Sequence, residues 1–77
     1  MSYKSRGAKV RVELVKDRSE VLICGNREGL RYLSEICVSL ADEEYAPHRP
    51  PHTHIEPALN SAEEDSVPLE IILEADL

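Results

Sequence analysis

Phenylalanine and tryptophan are absent from this chain, and its three tyrosines are its only aromatic residues. A core must therefore be built from Leu, Ile and Val. It must also be thin, because a chain of 77 residues buries only about 60% of its unfolded surface. Long apolar runs are missing as well. Nothing approaches the ~18 residues that mark a transmembrane helix, and the opening MSYKSRGAKVRVELV has no continuous apolar h-region of the secretory kind. A cytoplasmic protein without membrane attachment is expected. Cysteine is scarce: Cys24 and Cys37 form no C-x-x-C pair, whereas a secreted domain this small would carry a denser disulfide framework. Two small thiols are expected, rather than a disulfide or a nucleophile.

Catalytic signatures are lacking too. There is no G-x-S-x-G, no Gly-rich phosphate loop and no H-E-x-x-H. A small domain offers little concavity for a substrate. A paired-carboxylate site on an open sheet face would lack the burial that raises a general acid's pKa. A non-enzymatic protein is expected.

Positive charge is missing from the second half. Residues 1–31 hold eight Lys and Arg against four acids, whereas residues 32–77 hold only Arg49 against eleven. The chain's net charge is −6, but its acidic part alone carries −10 by that count. Nucleic acid is therefore not expected as a ligand. A basic protein partner is permitted, and solubility is the plainer use of the same charge.

What is present is a β-β-α-β-β pattern. AKVRVELV alternates with period two, KDRS is a polar turn, and EVLICG is a second strand. Pairing the two around Asp17 and Arg18 sets Leu14 opposite Val21 and Val12 opposite Ile23, with both apolar sets on one face. Cys24 then opposes Arg11 on the other face. GNREGLRYLSEICVSLAD is a helix with Asn26 as N-cap and Glu28 in the first turn, near the positive end of the macrodipole. At 100° per residue, Gly29, Leu30, Leu33, Ile36, Cys37, Leu40 and Ala41 share one arc, while Tyr32 and Val38 fall outside it. A glycine on the buried arc implies close approach of the helix backbone to the sheet. The helix should end near Asp42, with Asp42, Glu43 and Glu44 at the negative end of the macrodipole, where cations would be favoured.

A proline-rich loop leads to HTHIE, a short strand with His52, His54 and Glu56 on one face and Thr53 and Ile55 on the other. PALNSAEEDSVP is a polar loop. LEIILEADL is the last strand, with Leu69, Ile71 and Leu73 inward and Glu70, Ile72 and Glu74 outward. The expected fold is α+β: a two-layer sandwich with a four-stranded, mainly antiparallel sheet and one helix on one face. The strand order is 2-1-3-4, with 1-2-3-4 as the alternative. Residues 1–7 are expected to form a flexible N-terminal tail and residues 8–77 a single domain. The expected core is Val10, Val12, Leu14, Val21, Ile23, Leu30, Leu33, Ile36, Cys37, Leu40, Ile55, Leu69, Ile71 and Leu73.

The nine residues HRPPHTHIE raise the question of metal chemistry. Two histidines at i, i+2 stand on one strand face and can chelate an ion, with a carboxylate as third ligand. His48 joins only if the proline-rich loop folds back. No fourth ligand has dedicated spacing, so the histidines are read as partner-contact or structural residues ahead of metal ligands. No cofactor is expected, and zinc on His52 and His54 is the alternative. The candidate partner-binding set is His52, His54, Glu56, Glu70 and Glu74 on the open sheet face, with Glu43 and Glu44 at the helix end.

The stretches GNREGLRYLSEICVSLAD, HTHIE and SVPLEIILE resemble a family of very short bacterial αβ proteins. These share an N-x-E-G-L helix start, an H-x-H-aliphatic strand and a final aliphatic strand. Some of them are similar to immunity proteins of polymorphic toxin systems. The markers here are Asn26, Glu28, Gly29, Leu30, His52, His54 and Ile55. Thr53 and the proline-rich loop depart from the pattern. The resemblance covers residues 8 to 75 and implies a binder that neutralises a cognate toxin, a basic domain in the charge reading above. A small metal-binding protein, or a homo-oligomeric module such as a homodimer, are the other readings.

Overall fold

The computed structural model describes residue 4 and residues 6–77. The rest of the expected N-terminal tail, residues 1–3 and 5, lies outside the described residues. Strand β1 (Val10–Val15) and strand β2 (Glu20–Gly25) form an antiparallel hairpin in the expected register, with Leu14 opposite Val21, Val12 opposite Ile23 and Arg11 opposite Cys24. The turn between them is a 3-10 turn, Lys16–Arg18, closed by Ser19 in the left-handed conformation at φ 50°. Helix α1 (Arg27–Ala41) follows at once. Strands β3 (His52–Ile55) and β4 (Leu69–Ile72) make a second antiparallel hairpin.

The helix starts where the sequence says it should. Asn26 is the N-cap, and its side-chain Oδ1 accepts hydrogen bonds from Gly29 N at 2.8 Å and from Lys9 N at 3.0 Å. Its Nδ2 donates to Gly7 O at 2.6 Å, and its own backbone N–H donates to Lys9 O at 3.2 Å. One asparagine therefore caps the helix and pins it to the chain entering β1. That pinning explains Gly29. A Cβ there would run into the Lys9 carbonyl oxygen and lie 2.8 Å from the Lys9 carbonyl carbon, so the close approach expected from the sequence is met at this residue. The C-terminal cap is Asp42, and the last turn holds no basic residue.

The expected single four-stranded sheet is corrected to two separate two-stranded sheets, β1-β2 and β3-β4. The free edge of β1 is taken by the loop before β4. Glu63 N donates to Val10 O at 2.8 Å, Val67 N donates to Val12 O at 2.9 Å, and Val12 N donates to the Ser66 hydroxyl at 2.8 Å. With Val10 O and both backbone groups of Val12 taken by irregular chain and a serine, this stretch of the β1 edge is closed to β3, and neither strand order applies. Arg11 ties the same loop down by pairing with Asp65 at 3.6 Å, beside its 2.9 Å contact with Glu13.

The core sits where the two hairpins meet the helix. Ala8, Val10, Tyr32, Ile36, Leu40 and Ile55 form one buried cluster, with Leu33, Ala62, Leu69 and Ile71 packed against it. Tyr32, expected outside, is 9% exposed. Cys37, expected inside, is an exposed free thiol. The buried stripe of α1 is thus turned toward Tyr32, which with Ile36 and Leu40 shares the buried cluster with Ile55 of the second hairpin. Four other expected core residues are corrected to half-open positions: Leu14 at 56%, Val21 at 54%, Ile23 at 50% and Leu30 at 51% exposed. The helix departs from Gly25 and covers the Val10 end of the first hairpin, leaving the turn end without a second layer. Leu73 is partly buried.

Candidate functional site

The second hairpin assembles the site. Register sets His54 directly opposite Glu70 and His52 opposite Ile72. Period-two alternation sends Thr53 and Ile55 the other way, and Ile55 is fully buried at 0% exposure. Burying an Ile side chain contributes about 1.5–3 kcal/mol, which holds the strand in this register and keeps both imidazoles outside. Pro51 O accepts a hydrogen bond from Leu73 N at 2.9 Å, carrying the pairing one step beyond the strands.

His54 Nε2 lies 3.6 Å from Glu70 Oε2, and His52 Nε2 lies 4.0 Å from the same oxygen. The imidazole centroids are 5.2 Å apart, edge to face at 87°. One donor atom from each of the three residues falls within 4.8 Å of the others. The group is partly solvated, each side chain being between 42% and 48% exposed. On its far side, His52 Nδ1 is 3.1 Å from Pro50 O. The arrangement offers two ring nitrogens and a carboxylate converging from one side. It can grip a cation, or present acceptors and an ion pair to a protein surface.

The remaining expected site residues are spread out. Glu56 falls just beyond β3, where it precedes a 3-10 turn, Pro57–Leu59, and its backbone N–H donates to the Ser61 hydroxyl at 2.9 Å. It is not part of the cluster. Glu74 lies past the end of β4, in a depression shared with Tyr45, Pro47 and Asp76. Glu43 lines a groove of about 490 Å³ between α1 and β3, together with Tyr32, Leu40, His52 and His54. Glu44 is exposed beyond it, and His48 is exposed in the proline-rich loop. Of the acids, Glu70 joins the imidazole pair and Glu43 shares a groove with it, and the expected single flat face is not formed. Reading the sequence missed Pro50, Ser61 and Ser66. The two prolines before β3 were the only available sign that a carbonyl is held beside His52. The serines gave none, since both sit in a segment that reads as polar loop.

Burial raises the Tyr32 phenol above its ordinary value of 10.0. Among the described residues, no helix is long and apolar enough to cross a membrane. A family model described as Immunity protein 32 matches residues 20–75, from the start of β2 to just past β4. It contains every marker of the resemblance drawn from the N-x-E-G-L start and the H-x-H strand. No curated protein and no solved structure matches the chain.

Proposed function

Because the chain belongs to the Immunity protein 32 family, we propose that it neutralises a cognate bacterial toxin by binding it, without catalysis, in the cytoplasm of the cell that makes both. The observation that carries this reading is the family match over 20–75. The charge distribution supports a basic toxin domain as the partner. An acidic surface raises the encounter rate with a basic one and disfavours acidic competitors. The docking surface we assign is the acidic side of the second hairpin and the helix end: His52, His54, Glu70, Glu43 and Glu44, with Glu56 and Glu74 at its margins.

The test is co-expression with the protein encoded by the adjacent gene. The expected result is protection from that protein's toxicity and a stable complex of the two purified chains. Raising salt from 0.1 M to 1 M shortens the Debye length from about 10 Å to about 3 Å, so association should slow. Charge reversal at Glu43 and Glu44 should slow it further. Absence of both protection and complex would overturn the reading, and an on-rate indifferent to salt would remove its electrostatic part.

A second reading, self-association, is favoured by the open apolar strip of Leu14, Val21, Ile23 and Leu30. A solvated strip of this kind is what a second copy of the chain would cover. Light scattering decides it: a dimer mass that reverts to monomer in Ile23→Lys supports it, and a monomer mass in the native chain excludes it.

A further inference from the structure

We propose that His52, His54 and Glu70 form a binding site for a divalent late first-row transition ion of the zinc type. The inference does not depend on the toxin-binding reading, because it concerns the isolated chain.

Geometry carries it first. Zinc binds imidazole nitrogen at about 2.0–2.1 Å and carboxylate oxygen at about 2.0–2.2 Å. Two ligands at a tetrahedral angle on such bonds stand about 3.3 Å apart. The Nε2 of His54 and the Nε2 of His52 stand 3.6 and 4.0 Å from Glu70 Oε2. The two edges that meet at Glu70 are therefore too wide by about 0.3 and 0.7 Å, and all three donor atoms lie within 4.8 Å of one another. Small rotations of exposed side chains close that gap without moving the backbone. Two ligands come from i, i+2 positions on one strand and the third from the cross-strand partner of His54, so one hairpin holds all three.

The tautomer is the second, independent observation. A carbonyl oxygen can only accept a hydrogen bond. The 3.1 Å contact between His52 Nδ1 and Pro50 O therefore places the proton of the neutral ring on Nδ1. This leaves the lone pair on Nε2, the nitrogen that faces Glu70. Metal-ligating histidines are commonly oriented in this way by an outer partner on the other ring nitrogen. Pro50 fills that role, and the following Pro51 stiffens the approach to β3.

Donor chemistry selects the ion. Two imidazoles and one carboxylate suit zinc, nickel and copper, whereas magnesium and calcium favour sets composed of oxygen. With three protein ligands on a solvated face, the remaining coordination positions fall to water.

The experiment is zinc titration of the full-length, untagged chain by calorimetry, with magnesium as control, on the native protein and on His52→Ala, His54→Ala and Glu70→Gln. Loss of an outer partner already costs about 10–100-fold in metal affinity, so loss of a ligand should cost at least about tenfold. The expected result is one zinc per chain, weakened to that degree in each variant, with no heat from magnesium. A readout on the native chain covers any variant that misfolds: added zinc should shift the imidazole resonances of His52 and His54 and leave those of His48 in place. Zinc binding that is absent, equal in the variants, or accompanied by no change at His52 and His54 would overturn the proposal and place any zinc on other carboxylates or on the two thiols.

Discussion

Replacing Gly29 by alanine isolates the contact that joins the helix to the first hairpin. On an ordinary helix the change gains up to about 1 kcal/mol from propensity. Here the new Cβ enters the Lys9 carbonyl and meets Asn26 Oδ1 at 3.0 Å. The obstacle is backbone, so no side chain can swing aside. Either the helix start lifts away or β1 bends. Forced overpacking costs about 1–3 kcal/mol. Lifting the helix also strains the three hydrogen bonds that join Asn26 to Gly7 and Lys9, each with a net contribution of about 1 kcal/mol. After subtracting the propensity gain, Gly29→Ala should destabilise by about 2–4 kcal/mol. That is a large share of the roughly 4–12 kcal/mol expected of a chain this long at 0.05–0.15 kcal/mol per residue. In a thermal melt followed by circular dichroism, the midpoint should fall by at least about 8 °C, taking 4 °C per kcal/mol as the lower bound. Ser39→Ala, at an exposed position of the same helix that lines the groove beside β3, should be neutral or mildly stabilising. A Gly29→Ala protein as stable as the native one would refute the close approach of helix and β1.

Three further outcomes follow from the packing. Ser66→Ala leaves the buried Val12 N–H without a partner and should cost about 1–3 kcal/mol in denaturant unfolding; a cost near zero would show that the loop does not seal the β1 edge. Ile55→Ala empties the most buried side chain and should cost about 2–5 kcal/mol, and an unchanged midpoint would contradict its place in the core. The Tyr32 phenol is raised in the folded state by burial, so folding favours its protonated form. Its contribution is fully present below the ordinary pKa of about 10 and is lost as pH rises through the folded value. Alkaline titration followed by phenolate absorbance should show one tyrosine ionising late, and Tyr32→Phe should remove that late component and lessen the alkaline fall in stability.

Local order was legible in the residues. The hairpin register follows from matching two apolar sets across a four-residue turn. The start of α1 follows from Asn26, and the odd glycine in its buried arc announced a backbone contact. The outward imidazoles follow from alternation with Ile55, and Glu70 was placed beside them by the alternation of LEIILE. These features depend on interactions between near neighbours or within one hairpin, where spacing alone dictates which side chains share a face.

Only the tertiary structure decided how the pieces meet. Whether β1 paired with β3 depended on what took its free edge, and the answer was a polar loop more than fifty residues away in the chain, with Ser66 standing in for a strand. No periodicity marks such a segment, because its hydrogen bonds come from one hydroxyl and two isolated backbone groups. The same closure keeps β1 apart from β3, and in the resulting packing Tyr32 is buried beside Ile55 while Cys37 is exposed. Leu14, Val21 and Ile23 stay half open at the turn end, which the helix does not cover. Apolar patterning specifies which residues can be buried together, but long-range backbone pairing determines which of them find a second layer to bury them.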